Sequence, residues 1–349
     1  MKLSPFLSTA LLAALLIGCK GSDSPEQGTT GGAATGSPKA KTLKIGVVFD
    51  SGGRGDKSFN DSAWAGIERA QKEFSLEVAD VDTRSPKDYE GNIRGLAEKG
   101  MDLIFAVGIT QQDALKAVAP QFPDVKFVSV DGQVDGDNVR NLQFKEEQGS
   151  FLVGYLAGLM TKANKVGFVG GMDIPTIRRF EAGYRAGVLS ANPKIEILPA
   201  KFTESWDDVT TGKAAGKTLF DAGADIVYHA AGRAGLGVID AAEDADKFAI
   251  GVDSDQDYVS EGHVLTSMIK HVDVGVYQTI KDVQEGKFSG GTKVYELKDG
   301  GVGLSDLKYT KQIIGREKLQ KVEAMKQKII DGSLKVPASM DELKGFAPK

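Results

Sequence analysis

Short apolar, β-branched runs alternate with stretches of helical periodicity along most of this chain, and near its middle the alternation starts afresh. The first run, Leu43 to Phe49, is almost continuously apolar, as expected of a strand covered on both faces. It ends in Asp50, a turn containing Gly52, Gly53 and Gly55 follows, and Ser58 opens a helix with Ala63, Trp64, Ile67 and Ala70 on one face. Further strands are predicted over Leu76 to Val81, Leu103 to Val107, Lys126 to Val130 and Val139 to Phe144, with helices over Tyr89 to Lys99 and Gln111 to Val118. Strands separated by helices must run parallel and cross over right-handedly.

A helix from Glu146 to Thr161 separates this series from a second one. The second has strands over Val166 to Val169, Ile195 to Phe202, Asp225 to His229, Phe248 to Val252 and Val264 to Ile269, with helices over Thr176 to Leu189, Asp207 to Phe220 and Leu236 to Ala242. The predicted class is α/β, with two doubly wound parallel-sheet lobes. A chain of 349 residues also exceeds the ~250–300 that one hydrophobic core usually organises. The late segments, a helix over Val272 to Val283, a strand over Lys293 to Leu297 and a helix over Glu317 to Ile330, do not extend a simple two-bead string. They predict crossings between lobes near 142–146, 270 and 298–304. One lobe then comprises 42–143 plus 271–297, the other 144–270 plus 298–349, and a multi-strand hinge lets them close on a ligand.

The N-terminus has its own logic. Lys2 precedes an apolar segment from Leu3 to Ile17, too short to span a bilayer and shaped like a signal peptide over residues 1–18. The sole cysteine, Cys19, stands at its end in a setting that resembles the lipobox of bacterial lipoproteins. That resemblance implies cleavage before Cys19 and its acylation. Residues 19–41 continue as a Gly-, Ser-, Thr- and Pro-rich stretch that cannot bury enough surface to order itself, so a flexible tether is expected. The plan is anchor, leash and globular head, in the cell envelope.

In parallel sheets, ligands bind beyond the carboxyl ends of the strands. Here those ends carry Asp50, Gly108, Asp131, Gly170, Gly232, Asp253 and Lys270. For any single aspartate, capping or turn chemistry competes evenly with ligand contact. Phe59 and Phe180 stand near helix starts, where core packing or a hydrophobic staple is the plain alternative to a ligand-facing role. Trp206, between a strand and a helix, is a third aromatic candidate. If these groups converge, two rings suit a flat heterocycle, and the carboxylates suit hydroxyl and N–H donors while repelling phosphate. Lys270 can donate to a hydroxyl while pairing with a carboxylate. A nucleoside fits this set.

The segments Ile45 to Asp50, Gly55-Asp56-Lys57-Ser58-Phe59-Asn60-Asp61-Ser62-Ala63-Trp64, Phe127 to Gly132, Glu146 to Gly158, Arg179 to Tyr184 and Gly251-Val252-Asp253 closely resemble the basic membrane protein family of bacterial lipoproteins. The likeness spans nearly all of residues 42–345. It implies a type I periplasmic-binding-protein fold and a substrate-binding role in an ABC transporter, with a permease and an ATPase as partners. Carried over from the nucleoside-binding members, stacking falls to Phe59 and Phe180. Base contacts fall to Asn60 and Asp131, with Asp50 as a further candidate, and ribose contacts to Gly232, Asp253 and Lys270. Where the family often has a small residue after the glycine matching Gly232, this chain has Arg233.

Other classes fit less well. The net charge of -5 offers no basic footprint for nucleic acid. Of the three histidines, only His229 falls at a strand end, and no nucleophile elbow, metal-ligand cluster or phosphate loop appears, so an enzyme, a metal and a cofactor are not expected. A monomer is expected. Same-fold receptors for a sugar or flavin, and a surface receptor or adhesin without transport, remain the alternatives.

Overall fold

A computed structural model describes residues 42–347. The expected signal peptide, Cys19 and the expected tether lie outside the described residues. The chain runs β1 (Leu43–Phe49), α1 (Phe59–Gln71), β2 (Leu76–Asp82), α2 (Tyr89–Glu98), β3 (Leu103–Val107), α3 (Gln112–Val118), β4 (Lys126–Val130) and β5 (Val139–Phe144). It continues through α4 (Glu146–Met160), β6 (Lys165–Gly170), α5 (Pro175–Ala191), β7 (Glu196–Ile197), β8 (Lys201–Phe202), α6 (Val209–Asp221), β9 (Ile226–Ala230), α7 (Gly235–Asp244), β10 (Phe248–Asp253) and β11 (Val264–Lys270). The last elements are α8 (Val272–Gln284), β12 (Gly291–Tyr295), β13 (Val302–Leu304), α9 (Lys311–Ile314), α10 (Arg316–Ile330) and α11 (Met340–Lys344).

Two sheets result, in the orders β12-β5-β4-β3-β1-β2 and β13-β11-β10-β9-β6-β7, with β8 also pairing β6. Every pairing is parallel except β11 with β13. The orders superimpose strand for strand, so β1 matches β6, β3 matches β9 and β4 matches β10. β3 and β9 are buried at every position, as continuous apolar strands with helices on both faces must be.

The chain passes between the sheets three times, from β5 into α4, from β11 into α8, and from β12 towards β13. The crossings are bonded to one another. Lys145 N donates to Tyr295 O at 3.0 Å, His271 N to Gly301 O at 3.0 Å, and Leu297 N to Gln148 Oε1 at 2.9 Å. Such cross-ties hold the sheets in register while leaving rotation about the crossings open.

One sequence expectation needs correction, and one strand was not expected. Ile195 to Phe202 is not one strand but two two-residue pieces, β7 and β8, separated around Pro199, which has no N–H for the ladder. The crossing expected over 298–304 ends in a real strand, β13, running antiparallel to β11. At three residues it is too short for a period-2 pattern to show.

Candidate functional site

The ends of the central strands of both sheets converge on one cavity, mostly apolar with a few polar groups, as small-molecule sites are. Asp50 follows β1, Gly108 follows β3 and Asp131 follows β4. Gly232 comes just after β9, Asp253 ends β10 and Lys270 ends β11. All nine sequence candidates, Asp50, Phe59, Asn60, Asp131, Phe180, Trp206, Gly232, Asp253 and Lys270, line this cavity. Asp131 and Asp253 hold matching places in the two sheets, and both are left-handed, with φ of 67° and 64°. A short polar side chain tolerates that conformation at a cost of about 1–3 kcal/mol, and it turns both carboxylates off the sheet ends. Gly108 is needed where it stands: a Cβ there would lie 3.0 Å from Asp50 Oδ2.

Phe59 opens α1 in one half and Phe180 lies in the second turn of α5 in the other. The Lys270 ammonium lies 5.1 Å from the Phe59 ring centroid and 5.6 Å from that of Phe180, with Phe144 at 5.0 Å. One cation therefore faces both rings. Trp206 completes the wall, its ring lying where a Cβ on Gly171 would be. Ile109, Ile174, Ile177 and Val252 add apolar surface. Arg233 is exposed.

The polar floor is crowded with acids. Asp56 caps α1 from two residues upstream of the helix-flanking Ser58: Oδ1 accepts from Ser58 N at 2.9 Å and Oδ2 from Asn60 N at 2.8 Å. Asn60 Nδ2 donates to Asp50 Oδ1 at 2.9 Å and to Asp56 Oδ2 at 3.2 Å, which fixes the amide so that Oδ1 is left buried without a partner. Asp131 Oδ1 is likewise buried and unpartnered. An acceptor in that state calls for a donor, since leaving it unpaired costs about 1–3 kcal/mol. Burial pushes Asp50 and Asp253 up to about 7 and Asp56 to about 6.

Lys270 is 1% exposed and is the compensating cation. Its Nζ donates to Asp131 Oδ2 at 2.6 Å and lies 3.1 Å from Glu146 Oε1. Burial lowers its pKa, but Asp131, Glu146 and Asp253 more than offset that and hold it above the ordinary lysine value. Burial raises Asp131 despite the Lys270 charge, and the Glu146 charge adds to the rise. Asp131, expected at a base, and Lys270, expected at a ribose, form one ion pair here.

Sequence reasoning passed over several groups. Asp56 lines the cavity. Ser58 Oγ donates across the cleft to Asp253 Oδ2 at 2.5 Å, Ser254 Oγ to Ser58 O at 3.2 Å, and Gln256 Nε2 to Lys57 O at 3.1 Å. Behind the cavity, Arg179 Nε donates to Glu146 Oε2 at 3.0 Å. The Asp-Lys-Ser-Phe-Asn string was a visible signal for Asp56 and Ser58; nothing local marks the others. His229 is fully buried, and burial pushes its pKa down to about 4, leaving a neutral ring outside the cavity lining. Among the described residues no cluster of His, Cys, Asp or Glu is arranged to hold a metal ion, and no helix is long and apolar enough to cross a membrane.

The sequence profile of the Bmp family, described as ABC transporter substrate-binding protein PnrA-like, matches residues 43–340. The chain belongs to the Bmp family. Its relatives include a CD4+ T-cell-stimulating antigen of Listeria innocua, 36% identical over 95% of this chain and 97% of that protein. Another is the ABC transporter nucleoside-binding protein BmpA of Lactococcus lactis, 36% identical over 93% of this chain and 95% of the relative. Among solved structures, an ABC transporter solute-binding protein from Aeropyrum pernix superimposes with a TM-score of 0.79 at 32% identity, covering 87% of this chain and 96% of that one. This Bmp protein thus has the periplasmic-binding-protein architecture and is a substrate-binding protein of the ABC-transporter type.

Proposed function

We propose that this Bmp protein captures a nucleoside, purine nucleosides foremost, by closing its two lobes around it, and hands the closed form to a membrane permease driven by an ATPase. The observation that carries the reading is the pairing of Phe59 and Phe180, from opposite halves, about one cavity whose buried acceptors Asn60 Oδ1 and Asp131 Oδ1 want donors. The rings take the base by its faces, and base N–H groups meet Asn60 and Asp131, with Asp50 behind them. The ribose hydroxyls lie against Gly232, Asp253 and Lys270, and Trp206 closes the wall. The surrounding carboxylates disfavour a phosphate, which makes the nucleoside and not the nucleotide the cargo.

The protein acts as a monomer, turns nothing over, and is held to the extracytoplasmic face of a membrane by acyl chains on Cys19. More than one chain is needed for durable anchoring, as acylation of both thiol and amino group supplies. The name of the Lactococcus lactis relative supports the nucleoside assignment. Mass spectrometry of small molecules released from the purified protein tests it: a purine nucleoside is expected, whereas a sugar or flavin would assign the cavity to another cargo.

A further inference from the structure

We infer that Glu146, which does not line the cavity, is the positioning residue that fixes the Lys270 ammonium before the two cleft rings. Resting on the nucleoside reading, it thereby sets how tightly the ribose end is held. Glu146 is the first residue of α4, just past the first crossing between sheets, and Lys270 is the last residue of β11, just before the second. Their ion pair ties two of the three crossings together at the floor of the cleft. Both side chains are fully buried, at 0% and 1% exposure. A buried ammonium needs its counter-charges close and fixed.

The geometry divides the work between the two carboxylates. Asp131 takes a direct hydrogen bond from Lys270 at 2.6 Å. Glu146 Oε1, at 3.1 Å, makes an ion pair but no aligned hydrogen bond. Its pull is therefore electrostatic and leaves N–H directions of Lys270 for the cavity. The other oxygen of Glu146 is held by Arg179, the residue before Phe180. One carboxylate so links the cation to the helix turn that carries a stacking ring. An acid in the first turn of a helix is ordinarily read as a dipole partner. That accounts for an exposed carboxylate, not for one buried between two cations.

The charged groups facing Lys270 are Asp131 at the end of β4, Asp253 at the end of β10 and Glu146 on α4, with Arg179 on α5 behind Glu146 and Asp50 and Asp56 elsewhere in the cavity. Glu146→Gln keeps the shape and removes one negative charge from this set.

The test uses the full-length protein with ¹³Cε-labelled lysine, without added ligand, and follows the Lys270 signal against pH. In Glu146→Gln it should titrate at lower pH than in the wild type. Glu146→Asp, with its charge one methylene further off, should shift it the same way by less, which keeps the question decidable if the glutamine variant does not fold. With inosine as probe, Glu146→Gln should weaken binding about tenfold and move the alkaline loss of binding to lower pH. Glu146→Gln/Lys270→Met should bind inosine no worse than Lys270→Met alone, because a residue acting through Lys270 has nothing to act on once it is gone. Unchanged lysine titrations, or additive losses in the double variant, overturn the inference. If the wild type binds no inosine, the nucleoside reading fails by itself, and the lysine titration still decides the role of Glu146.

Discussion

Ser58 Oγ and Asp253 Oδ2 meet at 2.5 Å across the cleft, the serine from the helix α1 side of one half and the aspartate from the end of β10 in the other. Asp253 also lines the cavity, so one carboxylate both faces the cavity and bonds to the opposite lobe. On the proposed nucleoside reading, that carboxylate couples closure to capture. Two neighbouring bonds, Ser254 to Ser58 O and Gln256 to Lys57 O, act on the same joint without reaching the cavity.

Gln256→Ala should weaken every ligand by the same factor, at least about fivefold for the lost Lys57 bond at ~1 kcal/mol, and should also lower the melting temperature, because the buried Gln256 Oε1 accepts from Val252 N at 2.9 Å. The loss should fall on the dissociation rate, since the bond forms only when the lobes meet. Stopped-flow displacement with two different nucleosides checks this. Unequal factors for the two would place Gln256 in the recognition surface instead.

Phe59→Ala and Phe180→Ala should each weaken purine nucleoside binding by ~1–3 kcal/mol, or roughly 5- to 150-fold, with little change in melting temperature for Phe59. Phe180 is 3% exposed and belongs to the main core cluster, so its truncation should also cost stability. Calorimetric titration beside a thermal melt separates the two effects.

The buried acids make stability depend on pH with a definite sign. Asp50 and Asp253 titrate near 7 in the fold against 3.8 for the free side chain, chiefly through burial. Between roughly pH 4 and 7 the folded chain holds protons that the unfolded chain releases, so stability falls as pH rises through that window. Asp253→Asn, which tolerates the left-handed backbone, should flatten this slope and melt higher than wild type at pH 8. Ribose-dependent affinity should drop in the same variant. A wild-type melting temperature that climbs from pH 5 to pH 8 would show that these carboxylates are not buried as described.

Cys19→Ala should move the protein from the membrane fraction to the soluble one and abolish incorporation of labelled palmitate, while leaving nucleoside binding of the head unchanged. Retention on the membrane would point to another attachment.

Much of the site could be read from the sequence because parallel strands deliver their last residues to one edge. Asp50, Asp131, Asp253 and Lys270 each follow an apolar run, and any reading that finds the run finds the residue. Phe59 and Phe180 were legible as rings near helix starts, where core packing was the plain alternative; both line the cavity, and Phe180 also packs in the core. Glu146, Arg179, Ser58 and Gln256 were not singled out, because each owes its place to partners far away in sequence: Glu146 to Lys270, Ser58 to Asp253, Gln256 to Lys57. Periodicity reports which face of an element is apolar and says nothing of which element lies opposite. The same limit hid β13, which pairs with β11.

Calorimetric titration of the purified protein with inosine, adenine, ribose and AMP addresses the central claim most directly. Inosine should bind one to one, with adenine and ribose each far weaker because each fills only one end of the cavity, and AMP should be rejected by the surrounding carboxylates. Heat from ribose or AMP with none from inosine would contradict the account.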